Sequence, residues 1–100
     1  TINGKCNNGN ITINFIGNEL CTYEMRKIIN GKDTFVEELS NCNGYTTYSF
    51  PYESTKNSIK VYMICKLTNY ETNTEFERLK SNELSFINIK KWYNLRFVIQ

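Results

Sequence analysis

The side chains that could do chemistry in this sequence are few, and their types exclude most reactions. There is no histidine, so neither a histidine-based nucleophilic triad nor an imidazole metal set can be assembled. Cys6, Cys21, Cys42 and Cys65 are the only cysteines, and no two of them form a C-x-x-C pair. Without histidine to complete a zinc site, they read as two disulfides, which would remove thiolate nucleophiles as well. Carboxylates remain, in Glu37-Glu38 and in the group Glu71, Glu75 and Glu77. A glycosidase needs two such groups facing each other across a cleft. A small β domain seldom offers one, so solvated strand-edge charge is the simpler reading. Asp33 is the only aspartate and no D-x-[DN]-x-[DN] spacing occurs, which leaves no calcium loop. The expectation is a chain that is not an enzyme and carries no metal or cofactor.

The remaining candidates are binding residues. If Tyr93, Leu95, Phe97 and Ile99 face inward on a strand, Trp92 points outward beside Arg96 and near Lys90, and Trp with Arg and Tyr neighbours is typical of a binding hot spot. Trp92 could equally stack on a sugar ring. A bulge at Lys90-Lys91 would shift the register and return it to the core. Tyr62 and Ile64 pose the same alternative, being either the second face of a covered strand or an exposed apolar stripe of the kind that marks partner sites. Asn10-Ile11-Thr12 is an N-glycosylation sequon.

The element that must position these groups is the stretch 58–67, SIKVYMICKL. Ile59, Val61, Met63, Cys65 and Leu67 fall on one face, with Lys60, Tyr62, Ile64 and Lys66 on the other, a half-buried strand taken as the centre of a sheet. Before it, 11–15 alternates as a first strand after a polar lead-in, and 20–29 alternates as a second. Asn30-Gly31 is a strong hairpin signal, because both residues tolerate positive φ. Its partner is 32–39, where Phe35 and Leu39 face one way and Val36 the other, which implies a bulge or a strand buried on both sides. Thr46, Tyr48, Phe50 and Tyr52 make an aromatic face that would pair with Met63, Val61 and Ile59 in a hairpin with the central strand. A polar segment, 68–82, reads as a short edge strand anchored by Phe76 and Leu79, and 84–89 and 92–99 close the chain.

About seven to eight short strands, turn signals at short intervals and no helical period predict an all-β fold, an antiparallel β-sandwich stapled by two disulfides. The absence of alanine and the abundance of Ile, Tyr and Asn weaken helices further. Cys6 with Cys21 and Cys42 with Cys65 is the favoured pairing, since Cys42 precedes the strand expected beside Cys65; Cys21 with Cys65 across two sheets is the rival. The 100 residues make one domain. Its start at Thr1, with neither methionine nor an apolar leader, is expected of a module excised from a larger secreted chain. A formal charge of +2, spread along the chain, gives a nucleic-acid partner little support, and no run is long enough to span a membrane.

Paired cysteines, alternating strands and stretches such as Asn3-Gly4-Lys5-Cys6 and Ser40-Asn41-Cys42-Asn43-Gly44-Tyr45 resemble the cohesin-type repeat modules of scaffoldins in the cellulosomes of anaerobic gut fungi. That resemblance implies a non-catalytic module that binds dockerins on plant-cell-wall enzymes. The expectation is therefore an extracellular protein-interaction module, with a carbohydrate-binding module of a plant-cell-wall-degrading enzyme as the alternative. A sugar platform wants coplanar rings among polar neighbours, and a single Trp with a mixed Tyr/Ile/Lys face tilts the balance towards a protein partner.

Overall fold

Alternation of apolar and polar residues runs through the whole computed structural model, which describes residues 1–7, 9–52, 58–69 and 71–87. Eight strands and no helix occur among these: β1 (Asn3–Asn7), β2 (Asn10–Gly17), β3 (Cys21–Ile29), β4 (Lys32–Leu39), β5 (Gly44–Pro51), β6 (Ser58–Asn69), β7 (Thr74–Lys80) and β8 (Leu84–Ile87). Every pairing is antiparallel. One sheet has the order β1-β2-β5, and the other has β4-β3-β6-β7 with β8 also on β6. Apolar residues of both sheets meet in one cluster: Ile11, Ile13, Phe15 and Phe50 from the first, Tyr23, Met25, Ile59, Val61 and Met63 from the second. The rings of Phe15 and Tyr23 touch with centroids 4.9 Å apart. The fold is therefore all-β and antiparallel, its core supplied by the inward residues of two sheets.

β6 holds the central place its pattern implies. It pairs with β3 along one edge, while β7 and β8 share the other in succession. Between those two strands the edge would be left open at Met63, and Ser81 closes the gap. Its hydroxyl accepts the Met63 N–H at 2.8 Å, and its own N–H donates to the Met63 carbonyl at 2.8 Å. Buried backbone groups are costly when unpaired, so this one residue keeps the edge continuous.

The Asn30-Gly31 hairpin forms as expected, with φ of 54° and 78° at the two turn residues. The bulge also forms: Met25 faces Glu37 and Arg26 faces Phe35, so Val36 is the extra residue. Four expectations are corrected. The lead-in is not irregular, because Asn3–Asn7 pairs with β2 as a hairpin. The aromatic strand does not pair with β6. Tyr48 lies opposite Ile13 and Phe50 opposite Ile11, because the chain crosses to the other sheet between β5 and β6, and the aromatics still reach the aliphatics of that strand through the core.

The third correction concerns the cysteines, all four of which are free thiols. Cys6 sits at the Asn7/Asn10 end of the β1-β2 hairpin, whereas Cys21 follows the turn at the far end of β2. The strand between them spans about 20 Å, far beyond disulfide reach. Cys42 packs against Gly17, where a side chain's Cβ would lie 2.6 Å from its own Cβ, and its thiol turns to the Ser40 carbonyl rather than to Cys65. Only glycine lets this segment approach β2 so closely. The polar segment 68–82 does form a strand, β7, but Leu79 is 52% exposed rather than a core anchor.

Two further contacts hold the ends of elements in place. Ile2 is buried and exchanges two backbone bonds with the Asn82 amide, at 2.8 and 2.9 Å, tying the first sheet to the second. The Tyr23 hydroxyl accepts the Asn18 N–H at 2.7 Å and so fixes the turn between β2 and β3.

Candidate functional site

Of the binding residues singled out from sequence, only Tyr62 and Ile64 fall among the described residues. Trp92, Arg96 and Lys90 lie outside the described residues. Tyr62 is only 6% exposed and Ile64 is half-buried, so the outward side of β6 is the covered alternative, not an apolar stripe. Asn10 is exposed at the start of β2.

What covers Tyr62 is a chain of charges laid across the outer face of the larger sheet. Glu38 on β4 accepts from Lys66 on β6 at 3.0 Å, and Lys66 reaches Glu24 on β3 at 3.3 Å. Glu24 pairs with Arg26, whose Nε donates to Asp33 at 2.9 Å. The Tyr62 hydroxyl donates to the same Asp33 carboxylate. Lys80 on β7 stands 4.6 Å from the Tyr62 ring centroid and pairs with Glu83 at 2.8 Å. The alternation of sign is what makes the row possible, since each carboxylate has a cation on at least one side.

The consequence for chemistry is visible in the proton affinities. The hydrogen bond from Arg26 holds the Glu24 carboxyl below its ordinary range, and the Tyr62 hydroxyl followed by Arg26 does the same for Asp33. A general acid needs a raised carboxyl pKa, and these are moved the other way. Glu75 is engaged by Arg78 at 2.5 Å. No group of three or more acidic or cysteine side chains suited to a metal occurs among the described residues.

The smaller sheet carries the opposite kind of surface. Because β2 alternates strictly, Ile11, Ile13 and Phe15 go inward, and Asn10, Thr12, Asn14 and Ile16 outward. The register then lines up rows across three strands: Asn7, Asn10 and Pro51; Lys5, Thr12 and Ser49; Asn3, Asn14 and Thr47; and, at the far end, Ile16 and Tyr45. Lys5 is the only charge in these rows.

Within the rows the short side chains bond to one another. Thr12 and Ser49 hydroxyls are 3.0 Å apart, Asn14 donates to Asn3 at 3.4 Å, and Thr47 donates to Asn14 at 2.8 Å. An amide has two donor hydrogens and two acceptor lone pairs, so the bonds named use half of what Asn14 offers. They also fix the side chains, which lowers the entropy lost when a ligand is held. Ile16 and Tyr45 are 74% and 72% exposed, an apolar end to a polar platform. Sequence reasoning missed this face because it left 1–10 as a lead-in; the signal available was Asn8-Gly9, the same dipeptide that marked the other hairpin.

A third feature is a cavity of about 220 Å³ between the sheets, lined among others by Phe15, Tyr23, Met63, Cys65 and Lys80. Burial pushes the Tyr23 phenol up to about 12 and the Cys65 thiol up to about 11, so both are neutral at ordinary pH, and Cys65 reacts only through its small thiolate fraction. No protein-family model, curated protein or solved structure matches the chain.

Proposed function

We propose that this chain is a non-catalytic, extracellular binding module with a β-sandwich architecture, and that the outer face of β1, β2 and β5 takes a neutral polysaccharide. The observation that carries the reading is the set of rows in which Asn, Thr and Ser side chains are held ready by cross-strand bonds beside an exposed tyrosine. A neutral polyol presents hydroxyls that donate and accept, plus faces of C–H groups. Amides and hydroxyls answer the first, and the Tyr45 ring answers the second. The near absence of charge suits a ligand that has none.

Size favours the same side. Three strands about 4.8 Å apart and eight residues of about 3.4 Å make a platform of a few hundred Å², while a stable protein interface takes about 800 Å² from each partner. The exposed Ile16, Leu20 and Tyr45 support a second reading, a protein partner gripping that end, as the resemblance to scaffoldin cohesins implies. The exposed sequon asparagine, Asn10, is compatible with an extracellular place under either reading.

Affinity electrophoresis in gels containing soluble neutral glucans or xylans, run beside a dockerin-bearing enzyme as protein ligand, separates the two. Retardation by a neutral polysaccharide is expected, weakened about tenfold in Tyr45→Ala. Free migration in every polysaccharide would refute the glycan reading, and binding of the dockerin alone would establish the second.

A further inference from the structure

Cys21 opens β3 and is buried; Cys65 lies on β6 at the cavity between the sheets. The register sets Cys21 opposite Leu67 and Cys65 opposite Tyr23. The two cysteines are thus diagonal neighbours on the same, inward face of adjacent antiparallel strands. Diagonal partners stand about 7–8 Å apart at Cα, slightly more than the ~5.5–6 Å a disulfide prefers, and long side chains meet across that gap. Here the Cys21 thiol is near enough to help raise the pKa of Cys65, and Cys65 lines the cavity. Neither other cysteine has such a neighbour: Cys6 is at the opposite end of the smaller sheet, and Cys42 faces the Ser40 carbonyl.

We propose that Cys21 and Cys65 form a dithiol site that is oxidised to a cross-strand disulfide by a low-molecular-weight disulfide such as oxidised glutathione. Cys65, reached through the cavity, loses its proton to solvent and attacks one sulfur of the oxidant. A mixed disulfide forms, and one glutathione leaves as thiolate and takes up a proton. Cys21 then loses its proton and attacks the Cys65 sulfur of the mixed disulfide, releasing the second glutathione. Two S–H bonds are lost and one S–S bond is gained, and the two electrons leave in two molecules of reduced glutathione. Because burial keeps Cys65 neutral at pH 7, the first step accelerates as pH rises towards the Cys65 value of about 11. The inference does not depend on what the outer face binds.

The test is to incubate the reduced, folded chain with oxidised glutathione, block remaining thiols with an alkylating agent, and map the digested peptides by mass. The expected product has lost two hydrogens, links the peptide of Cys21 to that of Cys65, and carries the alkyl label on Cys6 and Cys42. Cys21→Ser is expected to stop at a mixed disulfide on Cys65, one glutathione heavier. A bond from Cys65 to Cys42, any bond to Cys6, or four labelled thiols after prolonged oxidation would overturn the proposal, and the mapping of the unmutated chain decides it even if the serine variant does not fold.

Discussion

Replacing Phe15 and Tyr23 by leucine, singly and together, tests whether the two sheets are held as one body. Their rings form the aromatic contact between β2 and β3, at 4.9 Å. Leucine keeps most of the buried volume, so the Phe15 change should cost about 1.5 kcal/mol. The Tyr23 change adds the loss of the hydroxyl that accepts the Asn18 N–H, about 1 kcal/mol more. If the rings attract each other beyond their area, the double variant should be less destabilised than the sum by about 0.5–1.5 kcal/mol. The hydroxyl contribution cancels in the cycle, because it is lost in both variants that lack Tyr23. Urea unfolding followed by Trp and Tyr fluorescence supplies the four free energies. A domain of this size has about 5–15 kcal/mol in hand, so all four chains stay folded. Costs that add to within about 0.3 kcal/mol would mean that the rings do not support each other, and the shared core would lose its best-defined contact.

Other outcomes follow from the same geometry. Glu24 and Asp33 have folded pKa values below their unfolded ones, so their contribution is present above the ordinary carboxyl range and is lost as pH falls through the folded values; Asp33→Asn should flatten the acid limb of a stability-versus-pH curve measured by urea unfolding. Tyr23 and Tyr48 are raised to about 12, so the stabilisation they confer is complete below pH 10 and disappears as pH rises from 10 to 12, which ultraviolet titration of the phenols would follow together with unfolding. Gly31→Ala puts a side chain at φ 78° and should cost about 1–2 kcal/mol in thermal unfolding, with no loss of glycan binding. Closing the loop from residue 21 to 65 by oxidation should raise stability by about 3–5 kcal/mol, and an unchanged melting temperature would contradict it.

Legibility from sequence varied with how local the cause was. The 58–67 strand, the Asn30-Gly31 hairpin and the Val36 irregularity are each written within about ten neighbouring residues, by side-chain alternation or by tolerance of positive φ. Pairing partners are not. Nothing in the alternation of 45–52 distinguishes a neighbour on β6 from one on β2, because both offer an aliphatic face, and the choice is made by the path of the chain between sheets. The fate of Tyr62 was hidden for a similar reason. Arg26 and Asp33 share one hairpin, but Tyr62 and Lys80 lie far from them in the sequence and converge on them only once β3, β4, β6 and β7 are side by side. The neutral platform needed three strands in register before its rows could be seen.

The insertion of one hairpin inside another pairing has a consequence for the order of assembly. β2 and β5 bond to each other, yet β3 and β4 lie between them in the chain and belong to the other sheet. A tight two-residue turn lets β3 and β4 zip in microseconds, whereas β2 and β5 must close a loop of some 25 residues. Once the inner hairpin exists, its ends at Tyr23 and Leu39 are neighbours, and the effective loop shrinks to the short connectors on either side. Slow steps in refolding should therefore track mutations in β3 and β4, and the platform on the smaller sheet should be completed late, as a product of the hairpin that brings its strands together.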